Sequence, residues 1–238
     1  MSITDVADAV SAAAQRGVFT AQIGDENFAF QNARFGDRKV TGAQIAEAVG
    51  ARPVYDYVVL RQLKSFELET LRPTETADLE KASRFFVIKG DHTERFVVDS
   101  LSMEWPRDVV TGITIKRLAG QDHDDVELLL EREDKPDKVI EDEDELRLGA
   151  PGVEIFKTRK VKVIIIVNTR EREWNKKRIT FEEVVKIAFP VPPPGQQIVY
   201  TVTFFDGPPH HPDGSLTEHQ SVKVVDRMVF SVKFTDKS

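Results

Sequence analysis

The chain has 238 residues, 40% of them hydrophobic and 31% charged, with a formal net charge of −7 and no cysteine. That apolar fraction supports a packed core and excludes a disordered chain, and at roughly 100–200 residues per domain the length alone suggests one large domain or two ordinary ones. The lack of cysteine removes disulfides, thiolate metal sites and cysteine nucleophiles together, and it agrees with a reducing cytoplasm.

At the start of the chain, Ile3, Val6, Val10 and Ala13 recur at helical spacing, with Asp5 and Asp8 early and Gly17 behind them. The pattern predicts an amphipathic helix over residues 1–17, either packed on the adjoining domain or docking a partner. A signal peptide would carry basic charge where these acids stand. The longest purely apolar run, 163–167, is far below the ~20 residues that cross a bilayer. These features predict a soluble, cytoplasmic protein without a membrane role, and the acidic balance argues against nucleic acid as a partner.

From residue 18 onward the chain repeats itself. Three segments, 39–50, 109–120 and 178–189, share a pattern at offsets of 70 and 69 residues. Thr41, Thr111 and Thr180 stand where a helix N-cap hydroxyl accepts from a free backbone N–H. Gln44 and Glu183 complete a capping box in the first and third copies, and Thr114 makes a weaker one in the second. Val40, Val110 and Ile179 before the caps face Ile45, Ile115 and Val184 within the helices, the arrangement of a hydrophobic staple. The first two helices stop at Gly50 and Gly120, and the third runs into Pro190.

Strands flank each helix. The β-prone pairs are 19–23 with 27–30, 95–98 with 102–105, and 161–167 with 171–174, each leading to an aromatic residue: Phe35, Trp105 and Trp174. After the helix, Val58 and Leu60 in the first copy, Val126, Leu128 and Leu130 in the second, and Ile198, Tyr200, Val202 and Phe204 in the third mark the apolar face of a strand. Each copy closes on a short strand around Phe86, Phe156 and Phe230. Strand, turn, strand, helix and returning strands leave one sheet face for the helix to cover, an α+β, β-grasp layout. The expected units are 18–89, 90–158 and 159–238, within the size range that folds alone.

Two motif sets give the repeats a family resemblance. Residues 84–158 carry Glu104-Trp105-Pro106, Val110-Thr111-Gly112, Glu131-Arg132-Glu133-Asp134 and Pro151-Gly152-Val153-Glu154-Ile155-Phe156. The last unit carries Ile166-Val167-Asn168, Phe181-Glu182-Glu183-Val184-Val185, Val199-Tyr200-Thr201-Val202-Thr203, Gly214-Ser215-Leu216 and Gln220-Ser221-Val222-Lys223-Val224. With these the chain resembles the bacterial multiubiquitin family. The resemblance implies tandem ubiquitin-like domains, with an activating-enzyme homologue, a conjugating-enzyme homologue, a processing peptidase and target proteins as partners, and a setting in defence or stress. It implies a protein modifier, not an enzyme and without a cofactor, whose last domain is trimmed, adenylated at its new C-terminal carboxylate and attached to a target. The residues that carry this role over are Phe234, Thr235, Asp236, Lys237 and Ser238, with Thr235 or Asp236 as the new end. Eukaryotic ubiquitin has Gly-Gly near its end, and this chain has Phe-Thr-Asp-Lys-Ser. The rival reading is a tandem interaction scaffold whose C-terminus is never activated.

Other clusters point to no chemistry. His210, His211 and His219 near Asp213 and Glu218 offer metal-ligating types, but Pro-Pro and Asp-Gly mark the segment as a turn. Between Gln121 and Glu145, 13 acids face three basic residues, a solvated stretch lacking the glycine and spacing of a calcium loop. Without cysteine, a G-x-S-x-G elbow or a phosphate loop, no nucleophile–base–acid set is visible. Trp105 and Trp174 hold matching places, which predicts a core or sheet-edge role.

Overall fold

The computed structural model describes residues 18–149, 152–192, 194 and 197–237; the helix expected over residues 1–17 lies outside the described residues. The first copy comprises β1 (Phe19–Gly24), β2 (Gln31–Phe35), β3 (Lys39–Thr41), α1 (Gly42–Ala48), β4 (Tyr57–Gln62), β5 (Leu68–Thr70), β6 (Thr76–Asp78) and β7 (Arg84–Lys89). The second comprises β8 (Glu94–Val98), β9 (Leu101–Trp105), β10 (Val109–Thr111), α2 (Gly112–Leu118), β11 (Val126–Leu130), β12 (Lys138–Ile140), β13 (Glu145–Arg147) and β14 (Glu154–Lys160). The third comprises β15 (Val163–Val167), β16 (Arg170–Trp174), β17 (Arg178–Thr180), α3 (Phe181–Ala188), β18 (Ile198–Phe205), β19 (Gly214–Leu216), β20 (Ser221–Lys223) and β21 (Val229–Asp236). Two compact units result: Met1–Gln121 with Leu130–Lys157, and Asp122–Leu129 with Thr158–Ser238.

The three helices begin where the threonines predict. Thr41, Thr111 and Thr180 are extended at the cap, and each hydroxyl accepts from the amide three residues on. Gln44 and Glu183 close reciprocal capping boxes; in the second copy the Thr111 and Thr114 hydroxyls bond each other at 2.9 Å. Burial pushes the Glu183 carboxyl up, but the Lys176 ammonium and the Thr180 amide outweigh it and hold the group below the usual carboxylate range. The glycines opening α1 and α2 serve close approach. A Cβ at Gly112 would stand 2.1 Å from the Glu141 carbonyl oxygen, and one at Gly42 would stand 2.5 Å from that of Arg72.

In the first unit, neighbouring strands run β14–β8–β9–β5–β4–β7–β1–β2. The first two copies therefore share one sheet, joined where β5 and β9 run parallel with Leu68 opposite Met103. Helix α1 covers the face bearing Ala21, Ile23, Val59, Phe85 and Val87. The opposite face of the first copy, with Val58, Leu60, Phe86 and Ile88, is buried as well. An aromatic cluster sits there. The Phe86 ring meets Phe28, Phe30 and Trp105 edge-on at 5.4, 5.3 and 5.6 Å, and Phe28 stacks on Trp105 at 6.0 Å. Trp105 is 2% exposed.

Polar contacts fasten the same junction. The Gln62 side-chain amide donates to the Leu118 carbonyl at 3.1 Å, Arg107 pairs with Glu26, and the Arg117 guanidinium lies over the Phe28 ring. The Thr70 amide and hydroxyl donate to Glu104 at 2.8 and 2.6 Å. Burial pushes the Glu104 carboxyl up, but those two bonds and Arg95 outweigh it and hold the group low. Gly120, at φ +67°, passes so near Phe66 that a Cβ would come within 2.5 Å of its ring.

Three expectations for the first copy are corrected here. Its second strand is Gln31–Phe35, later than 27–30, because the Asp25 carboxylate accepts from the amides of Asn27 and Ala29 and turns the chain. The helix-facing residue of β4 is Val59, not Val58 or Leu60. Phe85, rather than Phe86, is the counterpart of Phe156 and Phe230. Ile23 lies opposite Phe85, as Val98 lies opposite Phe156 and Val167 opposite Phe230. The physical reason is common to the last two. Where both faces of a strand are buried, apolar residues run on without alternating, so periodicity cannot fix which face is which.

The connection between these copies is pinned by His92, whose Nδ1 meets Asp91 at 2.9 Å and Nε2 meets Asp108 at 2.8 Å. The hydrogen bonds to Asp91 and Asp108 raise its pKa from 6.5 to about 9. The folded value lies above the unfolded one, so this contribution is complete below pH 6.5 and is lost as pH rises through about 9. NMR titration of the ring is expected to give a midpoint near 9. In an Asp91→Asn, Asp108→Asn double variant the midpoint should fall toward ~6.5, the ordinary histidine value. An unchanged midpoint would remove the carboxylates as its cause.

In the second unit the order is β16–β15–β21–β18–β19, with β17 paired to β20. Ile165, Val167, Val184, Val202, Phe204, Phe230 and Val232 form its core under α3. Trp174 packs against that core and donates its ring N–H to the Arg178 carbonyl at 3.1 Å. Thr201, Thr203, Ser231 and Lys233 alternate with the core residues of β18 and β21 and so take the other face. At these positions polar residues replace the buried apolar ones of the first copy, and Val199, Phe205 and Val229 share the face, Val199 and Phe205 exposed.

Candidate functional site

The residues singled out for chemistry lie at the end of β21. Pairing with β18 continues to the strand's last residue, with Val202 opposite Val232, Tyr200 opposite Phe234, Val199 opposite Thr235 and Ile198 opposite Asp236. The Lys237 amide donates to the Gln197 carbonyl at 3.1 Å. The β-branched and aromatic residues of 198–202 supply the edge that keeps this segment extended.

On the other side β15 ends early, lying opposite only Val229 and Phe230. The side chain of Asn168 takes over for one residue. Its Oδ1 accepts from the Val232 amide at 2.8 Å and its Nδ2 donates to the Val232 carbonyl at 3.0 Å. Past that bracket, among the described residues, β18 is the one strand paired with it.

The side chains follow the strand's alternation. Lys233, Phe234, Thr235, Asp236 and Lys237 are all exposed, Phe234 at 45%. The Phe234 ring nevertheless meets Phe189 edge-on at 5.4 Å, and Phe189 meets Tyr200 at 5.8 Å. Phe189 caps α3, so the end of the helix touches the end of the last strand. Of the five residues expected to form the reactive tail, Phe234, Thr235 and Asp236 are in the strand, Lys237 is bonded just beyond it, and Ser238 lies outside the described residues. The aromatic contact from Phe189 was not foreseen. Its only signal was the presence of two aromatics, Phe189 before Pro190 and Phe234 near the end of β21.

The histidines of the third copy do not converge. His211 packs on Phe204 at 4.9 Å, and its amide closes a turn onto the Pro208 carbonyl. His219 gives its amide to Glu182, and that bond, first among the causes, holds the Glu182 carboxyl low. Among the described residues the one group with metal-ligating atoms close together is His92, Glu94 and Asp108. There both ring nitrogens are engaged by carboxylates and the ring is held protonated, which leaves no lone pair for a metal. The acids of 121–145 are spread among separate tasks. Asp142 pairs at 2.9 Å with the buried Lys116, Glu131 with Lys157, Glu127 with Arg159, and Asp125 with Lys160.

Among the described residues no helix is long and apolar enough to cross a membrane. No curated protein matches the chain. The sequence model of the multiubiquitin family matches three consecutive stretches, residues 29–91, 94–161 and 163–236. They cover the second and third copies from their first strands and the first copy from residue 29, after β1, and the last one ends on β21 at the residue where the strand ends. With its tandem ubiquitin-like α+β domains, the chain belongs to the multiubiquitin family.

Proposed function

We propose that the chain is a ubiquitin-like protein modifier precursor of the cytoplasm and has no catalytic activity of its own. A processing peptidase trims the third unit within residues 234–238, leaving Thr235 or Asp236 as the new end. An activating-enzyme homologue joins that carboxylate to the AMP of ATP, with pyrophosphate leaving. A thiol of the activating or conjugating enzyme displaces AMP to form a thioester, and an amine of the target displaces the thiol to form an amide. The chain supplies only that carboxylate, which attacks the α-phosphorus of ATP; every thiol and amine nucleophile belongs to a partner, which suits a chain without cysteine. The first two copies enlarge the tag.

The observation that carries this reading is the run of three family matches whose last member closes on an exposed strand end. A carboxylate presented there lies past Asn168 on a strand that, among the described residues, pairs with β18 alone. The test is co-expression of an N-terminally tagged chain with the genes flanking its own, followed by intact mass and blotting of the tag. The expected result is a mass lacking the residues beyond the new end, together with a ladder of heavier tagged adducts. A full-length mass without adducts would overturn the proposal.

A further inference from the structure

From the geometry of β21 we infer that its last residues form a latch, closed in this structure, whose opening controls access to the reactive end. The inference rests on the function proposed above for its consequence, but the latch itself stands on geometry alone.

An activating or processing site that encloses a chain end needs several residues of free, extended backbone. Here residues 234–236 are paired to Ile198, Val199 and Tyr200, and Lys237 is tied to Gln197. The Phe234 ring rests on Phe189, which leans on Tyr200. So the atoms that must enter a partner's site are held against the protein's own sheet.

The same structure shows where the latch hinges. Up to Val232 the strand is gripped from both sides, by β18 and by the Asn168 amide. Beyond it, β18 is the only flanking strand among the described residues, and a two-stranded ribbon is marginal in water without packing behind it. The packing behind this one is the Phe189–Phe234 contact. Phe189 and Phe234 therefore act as positioning residues: they set how often residues 233–237 are free, and they take no part in bond making. Opening would break the short ribbon without disturbing the core under α3, because Val232 and Phe230 lie inside the hinge.

Amide hydrogen exchange followed by NMR on the full chain tests the latch. In the wild type the Thr235 and Lys237 amides should exchange slowly. In Phe189→Ala, and in Phe234→Ala where the altered side chain is already half-exposed, they should exchange about tenfold or more faster. The amides of Val202 and Phe230 should be unchanged in both. Unprotected exchange at Thr235 in the wild type, or wild-type rates in both variants, would overturn the latch. The same variants in the co-expression assay read its consequence. Stronger adduct ladders than wild type are expected from Phe234→Ala and Phe189→Ala alike. Equal ladders would overturn the control of access while leaving the modifier function standing. Ladders absent from wild type and variants alike would overturn the modifier function, with the exchange rates still deciding whether the latch exists.

Discussion

Trp105→Ala is expected to destabilise the first two copies together, by about 3–5 kcal/mol, the range for deleting a large buried aromatic. Trp105 belongs by sequence to the second copy, at the end of β9, yet its ring stacks on Phe28 and meets Phe86, both from the first. The cavity would open on both sides of the junction. Differential scanning calorimetry should show one transition for the first unit moved down as a whole, with the transition of the second unit in place. Tryptophan fluorescence then follows the second transition separately, since after the substitution Trp174 is the sole tryptophan. Separate melting of the second copy, with the first left at its wild-type temperature, would contradict a shared core. The polar contacts of the junction do not change this ranking. The junction's exposed ion pair, Arg107 with Glu26, contributes at most about 1 kcal/mol.

Gly112→Ala sets local and tertiary effects against each other, so its sign is informative. By helix propensity alone, alanine at the first residue of α2 should stabilise by up to about 1 kcal/mol. The added methyl, however, would lie 2.1 Å from the Glu141 carbonyl oxygen and 3.1 Å from the Ile140 side chain. Backbone on one side and a buried isoleucine on the other leave no flexible group to give way. Overpacking of this kind costs about 1–3 kcal/mol, and the expected net effect is a loss of about 2 kcal/mol. It should appear as a lower denaturant midpoint for the first unit in urea. A rise in the midpoint would show that the loop bearing Glu141 moves aside freely. The third copy has Phe181 at this position, buried in its own core, so the close approach is peculiar to the first two.

The parts of the fold governed by contacts three or four residues apart were legible in the sequence. Thr41, Thr111 and Thr180 announce the helix starts because capping is a local hydrogen bond, and the weakness of the second box follows from Thr114 replacing a Gln or Glu. Trp174 likewise sits where the repeat placed it. What escaped was set by contacts across copies. The runs Val58-Val59-Leu60 and Phe85-Phe86-Val87-Ile88 state that both strand faces are buried, but not what covers the second face. That answer lies 19 residues beyond Phe86, in Trp105, and in the loop residue Phe28, whose φ of +61° follows from the Asp25 turn. For the end of β21 the sequence showed a strand. Its state was not legible, because Phe189 and Asn168 reach it only in three dimensions.

The shared sheet of the first unit also fixes the valency of the chain. A receptor that docks on the open sheet face of a ubiquitin-like domain finds that face in the first copy filled by Phe28, Trp105 and the end of α2. Three repeats in sequence therefore amount to at most two such sites, and avidity gained by tethered engagement scales with the second number. Duplication lengthened the chain more than it multiplied its open sheet faces.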